Sequence, residues 1–298
     1  MDESDLVANG PNWHHTMPFG PFVMHMTWFL WIRWWKMVRN SESGSIRRWG
    51  MLVIIRRSEQ LEKLQHANRE TTRLLRHIQS LAQPGVTTKA LDDAARAFIA
   101  ELGGEPVFAT QAGFPGAINT NPNDVVVHGV PGEYALKNGD ILTIDAGMQL
   151  DGYVGDAATS FSVGPTTKRQ QALIDTTWGA MQAAILAAKT GNFVGDVSWA
   201  MQSYAEQHGC NVVRDFCGHG LGTRMWEDPQ VQFAGNPKSG ARLLEGMVIT
   251  VEPVVLEGGM EYYMANEWEA RSVDGSWVAQ FERAVMATKT GGFILSGD

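Results

Sequence analysis

The sequence predicts an α+β fold built from two similar halves around a central antiparallel sheet. Three observations predict it. Four segments repeat apolar residues at helical spacing and carry start or stop signals. Strand-like runs lie between them, and the last third is mostly strand. The order helix-helix-strand-strand then occurs twice along the chain, a pattern of the α+β class.

Each element follows in turn. Ser58 can cap a helix running to about Ala82, with Leu61, Leu64, Leu74, Leu75, Ile78 and Leu81 on one side and Pro84-Gly85 as its stop. A second helix follows Thr87-Thr88, buries Leu91, Ala94, Ala95, Phe98 and Leu102, and ends at Gly103-Gly104. Strands are expected over residues 106–110, 141–150 and 153–163. Two more helices fit 168–189, with Gly191 just beyond, and 197–208, with Asp196 as N-cap. Residues 247–256, 267–273 and 278–288 read as the closing strands. Asp151-Gly152 is a two-residue hairpin signal. With that turn, Leu150 faces Tyr153 and Gly147 faces Asp156, while Asp145 lies two positions along on the same side of the sheet. Such diagonal neighbours are roughly 7–8 Å apart, within joint reach of a cation between them.

Bulk properties narrow the function. The 298 residues, 44% hydrophobic, suffice for one large domain or two ordinary ones. Residues 1–57 hold seven Lys/Arg against four acids, so the net charge of −8 resides in an acidic main body, which argues against general nucleic-acid binding. Cys210 and Cys217 form no C-x-x-C pair and read as reduced thiols of a cytosolic protein. Six of the eleven Trp fall within residues 1–49, so this segment is of a different kind from the body. Its apolar stretch, 19–38, is interrupted by His25, Arg33 and Lys36. That makes it too short for a bilayer span, and it lacks the cleavage site of a signal peptide. The expectation is a disordered extension over 1–50 with a linker at 41–45, and a catalytic domain over 51–298. Lying at a membrane interface is the second reading of that extension.

Five residues concentrate the chemistry: Asp145, Asp156, His219, Glu252 and Glu282. Each sits in an apolar or Gly-rich run, I-D-A-G, G-D-A-A, G-H-G-L-G, V-E-P-V and Q-F-E-R. A carboxylate in such a run needs a counter-charge or a metal. Taken singly, each has an ordinary explanation: an exposed strand acid, a structural histidine, a buried ion pair. Together, four carboxylates and one imidazole would hold two divalent cations, an arrangement that suggests hydrolysis. Pro253 cannot donate to a ladder and marks an irregular strand beside Glu252. His128, in V-V-V-H-G-V-P, is a candidate proton shuttle or substrate donor, or else a turn histidine.

The chain resembles the type I methionine aminopeptidases, of the pita-bread (creatinase/aminopeptidase) fold, over about residues 58–295. The resemblance rests on N-D-V-V-V-H-G-V-P (123–131), G-D-I-L-T-I-D-A-G (139–147), D-G-Y-V-G-D-A-A-T-S-F (151–161), C-G-H-G-L-G (217–222), W-E-D-P-Q-V (226–231), G-M-V-I-T-V-E-P (246–253) and A-Q-F-E (279–282). It implies pseudo-two-fold halves with helices on the outer face of the sheet. It also implies a cytoplasmic enzyme that removes the initiator Met from nascent polypeptide N-termini, acting as a monomer with no specific nucleic acid and no membrane. Two divalent ions (Co, Mn, Fe or Zn) are implied. Asp145 would hold one, Asp156 and Glu282 would bridge both, and His219 and Glu252 would complete the other's shell. Glu252 would also be the proton acceptor, His128 would stand near the scissile amide nitrogen, and Met225 and Trp268 would line the Met pocket. Two departures stand out. Trp226 occupies the place of a family histidine thought to contact the scissile carbonyl, and its indole offers a single donor that cannot be protonated. Arg283 replaces a usual histidine after the last Glu, where a cation beside Glu282 could alter metal affinity. The alternatives are a catalytically weakened metal-binding paralogue and an Xaa-Pro peptidase of the same superfamily.

Overall fold

The computed structural model describes residues 54–55 and 57–297; the expectations for 1–50 lie outside the described residues. Its helices are α1 (Ser58–Leu81), α2 (Thr88–Glu101), α3 (Lys168–Ala187) and α4 (Val194–Gln207). Two begin as their sequence dictates. Thr87 and Thr167 are extended, and their hydroxyls accept from Ala90 N and Gln170 N, satisfying donors that a helix start leaves open. Two others correct the sequence reading. Ser58 lies inside the first turn of α1, whose cap position, Arg57, makes no side-chain cap bond; Glu59 meets the positive end of the dipole instead. Asp196 is the third residue of α4 rather than its cap. Its carboxylate reaches back to Phe193 N (2.8 Å) and across to Lys238 N (2.9 Å), so the helix starts earlier, at Val194.

The strands are β1 (Glu105–Pro106), β2 (Ile118–Pro122), β3 (Val125–Val127), β4 (Ile141–Leu150), β5 (Tyr153–Ser162), β6 (Asn211–Val212), β7 (Cys217–Gly220), β8 (Glu227–Gln232), β9 (Val248–Val251), β10 (Val254–Leu256), β11 (Tyr262–Met264), β12 (Ala270–Ser272), β13 (Val278–Gln280), β14 (Glu282–Ala287) and β15 (Gly292–Ile294). The main sheet is antiparallel and runs β1-β4-β5-β14-β9-β7-β8, with β2 also on β4 and β15 on β14. Two small sheets, β13-β10-β6 and β11-β12-β3, complete it. The hairpin register is as derived, Leu150 opposite Tyr153 and Gly147 opposite Asp156. Three runs differ. The expected strand at 106–110 becomes one wide helical turn, Phe108–Ala112, closed by left-handed Gly113, because Val107 and Phe108 turn inward onto the core. The run 247–256 breaks at Glu252-Pro253, and 278–288 breaks at Phe281. The run 267–273 shrinks to β12.

Strand alternation separates the two faces of the sheet. Ile144, Ala146, Met148 and Ala157 share one face, where they join Ala67, Leu74 and Ile78 of α1 and Leu91, Ala95 and Ile99 of α2 in one apolar cluster. Ile249, Val251, Val285 and Ala287 meet Leu173, Ala180 and Ala184 of α3 and Val197, Met201 and Ala205 of α4 in another. The helices thus cover one face and leave the other to the candidate ligands. α1 lies so close to β5 that a Cβ at Gly155 would strike the Ala67 carbonyl and the Thr71 hydroxyl. One residue on, Asn68 Oδ1 accepts from Asp156 N at 3.3 Å. Among the described residues, no helix is long and apolar enough to cross a membrane. Gly155→Ala is expected to cost about 1–3 kcal/mol by overpacking this contact. Urea unfolding should show the lower midpoint with an unchanged slope, and an unshifted midpoint would refute the tight seat of α1.

Candidate active site

Register alone gathers the five candidate ligands on one face. Asn119 on β2, Asp145 on β4, Ala158 on β5 and Glu282 on β14 are successive Cα partners, so they form one row pointing the same way. Asp156 stands two residues from Ala158 and shares its face. On β9, Thr250 pairs with Ala284, two along from Glu282, so Thr250 and then Glu252 follow on that face. Gly220 pairs with Ile249 on the helix side, which turns its neighbour His219 toward the acids. The small Ala158 sits in mid-row, between Asp145 and Glu282.

The distances bear this out. Ligand atoms of Asp156, His219 and Glu282 lie within 4.8 Å of one another. His219 Nε2 is 3.5 Å from Asp156 Oδ2 and 4.0 Å from Glu252 Oε1. Its other nitrogen, Nδ1, is 3.0 Å from Gly220 O, which makes Nδ1 the protonated one and leaves the Nε2 lone pair for the cluster. Burial drives the His219 pKa down to about 4, so the ring is neutral at pH 7 and these contacts are not ion pairs. The acids move the other way. Burial lifts Asp145 to about 7 against the pull of its Asn119 hydrogen bond, and Glu252 to about 8 against that of Thr250. Asp156 and Glu282 rise well above the usual range, through burial first and neighbouring carboxylates second. Asp145 Oδ1, both oxygens of Asp156 and Glu282 Oε1 are buried without a hydrogen-bond partner. Hard oxygens plus one imidazole are a donor set that divalent cations satisfy, so these residues fit a metal centre.

An apolar cluster adjoins the acids. Gly147, opposite Asp156, has no side chain, and a Cβ there would come within 2.6 Å of Val107 Cγ2, 3.2 Å of Phe108 and 3.4 Å of Met225 Sδ. Phe108, Phe114 and Met225 are buried in one cluster, with Trp268 packed against it and edge-on to Phe114 at 5.4 Å. The loop bearing Met225 and Trp226 is tied down at several points. Glu227 Oε1 accepts from Thr223 N and Arg224 N at 3.0 Å each, and Gln111 Oε1 accepts from Met225 N at 3.0 Å.

The remaining sequence candidates divide. His128 follows β3 with a left-handed φ of 56° and stands edge-on to Phe216 at 5.8 Å. Crowding by neighbouring atoms pulls its pKa down, but the side chain is exposed, and solvent limits that shift. Trp226 is 38% exposed at the mouth, 6.4 Å from the His219 ring. Arg283 corrects the expectation of a cation beside the metal-facing acid. Alternation on β14 sends its side chain to the helix side, over the Trp178 ring at 5.9 Å and onto the carbonyls of Ala158 and Glu282. Reading the sequence missed Asn119, Thr250, Gln111, Phe108 and Phe114. Thr250 alone had a signal, since two-residue alternation places it on the Glu252 face. The others depend on pairings between distant segments.

Comparison with known proteins agrees with this geometry. Residues 62–289 match metallopeptidase family M24. The methionine aminopeptidase of Clostridium acetobutylicum is 37% identical over 247 residues, covering 82% of this chain and 99% of that protein. Methionine aminopeptidase 1 of Bacillus subtilis is 36% identical over the same shares. The crystal structure of methionine aminopeptidase from Rickettsia prowazekii aligns with a TM-score of 0.79 at 35% identity, over 83% of this chain and 100% of that one. The prolidase of Pyrococcus furiosus, 20% identical with a TM-score of 0.65 over 82% of this chain and 65% of its own, shares the fold.

Stability of the metal-free protein should fall as pH rises. Asp145 and Glu252 bind protons more readily folded than unfolded; the penalty is absent below their ordinary values of 3.8 and 4.5 and complete above about 7 and about 8. Thermal melts in chelator should therefore decline between those limits, and Glu252→Gln should flatten the slope. A slope unaltered by that substitution would contradict the burial of this acid.

Proposed function

The chain belongs to metallopeptidase family M24, and on that premise we propose that it is a methionine aminopeptidase, removing the initiator Met from nascent polypeptide N-termini. The observation that carries this reading is the apolar cluster of Val107, Phe108, Phe114 and Met225 that meets the acid cluster at Gly147: an apolar thioether side chain would pack against the one while its peptide bond lay against the other. The polarizable Met225 and the edge-on pair Phe114–Trp268 suit a thioether.

The family is one of metal-dependent peptidases, and the residues present would hold two divalent ions, Co, Mn, Fe or Zn. Asp145 would hold one, His219 and Glu252 the other, and Asp156 and Glu282 would span both. Bound there, the ions would lower the pKa of a water to about 7 and polarise the scissile carbonyl. The protein's own groups handle position and protons. Thr250 donates to Glu252 Oε1 over 2.6 Å, which leaves Oε2 to take a proton from the attacking water and deliver it to the leaving amine. His128, held by its strained backbone and by Phe216, reaches toward the scissile nitrogen. Trp226 presents one N–H toward the carbonyl oxygen, where the family places a histidine. Loss of a well-placed donor of this kind lowers turnover about 100- to 1000-fold, so we infer reduced activity. A cytoplasmic location and a monomeric state belong to the same reading.

Release of Met from Met-Ala-Ser in the presence of Mn, Co or Fe is the direct assay. Metal-dependent release is expected, and none from Xaa-Pro peptides. Absence of Met release at every metal load would reject the assignment, and release from Xaa-Pro peptides alone would favour the prolidase-like alternative. Trp226→His is expected to raise turnover at least tenfold. An unchanged rate would dispose of the handicap assigned to the indole.

A further inference from the structure

We propose that Asn119 is a positioning residue for Asp145, fixing its carboxylate so that a single oxygen is presented to the cation site. The proposal deepens the function above and rests on Asp145 being a ligand. β2 and β4 set Asn119 directly opposite Asp145, where facing side chains meet. Asn119 Nδ2 donates to Asp145 Oδ2 over 2.8 Å, and Asn119 is only 3% exposed. Asp145 Oδ1 is buried with no hydrogen-bond partner. The two oxygens are therefore unequal: one is tied back to β2, and the other is the one free to meet a cation.

Simple satisfaction of a buried asparagine does not explain this arrangement. Asn119 Oδ1 is itself buried without a partner, so the residue leaves its own acceptor unmet while serving the acid. A counterpart stands across the site, where Thr250 donates to Glu252 Oε1. Asp145 and Glu252, the two partly open acids, each carry one fixed side-chain donor. Asp156, 1% exposed, keeps both oxygens without a hydrogen-bond partner, an arrangement that would suit a group shared by two ions. Carboxylate rotation about χ2 is broad, so a neighbouring donor that fixes it lowers the ordering cost of binding.

The test is calorimetric titration of the metal-free protein with Mn2+, for wild type, Asn119→Ala, Asn119→Val, Asp145→Asn and His219→Ala. Valine removes the donor but favours strand, so β2 is kept. Thermal melts of the metal-free variants report folding separately. The binding event that Asp145→Asn abolishes should weaken about 10- to 100-fold in both Asn119 variants. The event abolished by His219→Ala should hold its affinity, an asymmetry that a loss of general stability would not produce. If Asp145→Asn removes an event that both Asn119 variants leave unaltered, the positioning role is overturned. If Asp145→Asn itself leaves Mn2+ binding intact, the assignment of Asp145 as a ligand fails, and this proposal fails with it.

Discussion

Four carboxylates on one face of a sheet repel each other and lose their hydration, and everything else in the structure accommodates that concentration of charge. Burial lifts all four acids, and neighbouring carboxylates add to it at Asp156, Glu252 and Glu282, the first and last of these standing well above the ordinary range. Only a rigid frame keeps such groups together, because a flexible one would let them part. The frame is a row of paired strands, β2-β4-β5-β14-β9, whose main-chain ladders fix the position of each acid without calling on its side chain. The helices on the far face then bind the sheet mainly through apolar contact, which leaves the carboxylates of the site to the other face.

The same alternation explains why neighbours in sequence take different work. Glu282 and Arg283 are adjacent, yet one faces the acid cluster and the other runs beneath the sheet to Trp178. Arg283 is a buried cation that rests against main-chain carbonyls and an aromatic face. Trp226 differs in kind. It lies on the open side of the site, so its effect is exerted on whatever enters rather than on the frame. The loop that carries it is braced by Glu227 and Gln111, which ties Trp226 to the apolar cluster around Met225.

Much of this was legible in the residues. The Asp151-Gly152 turn fixed a register that puts Asp145 and Asp156 on one face, and the structure has that register. Pro253 announced the break after β9, and the helix starts at Thr87 and Thr167 were set by their own hydroxyls. What stayed hidden involves pairing across long sequence separations. The helical turn at Phe108–Ala112 looked like strand because its apolar residues face a wall built from β4 and from the loop at Met225, which no local pattern reveals. Ser58 and Asp196 fit a capping pattern, yet each helix began where its tertiary contacts allowed.

By itself, the sequence determined the chemistry on offer: hard oxygen donors and one imidazole in runs too apolar to leave them unpartnered, plus aromatic and thioether side chains able to line a pocket. Such properties belong to residue type and to short-range alternation, and both survive without a fold. Tertiary structure alone decided which groups touch. Asn119 reaches Asp145 and Thr250 receives the His219 amide, because those outcomes are set by strand partners dozens of residues apart. The physical reason is that hydrogen bonding acts over a few ångströms, whereas the chain brings its segments within that range only after the sheet has closed.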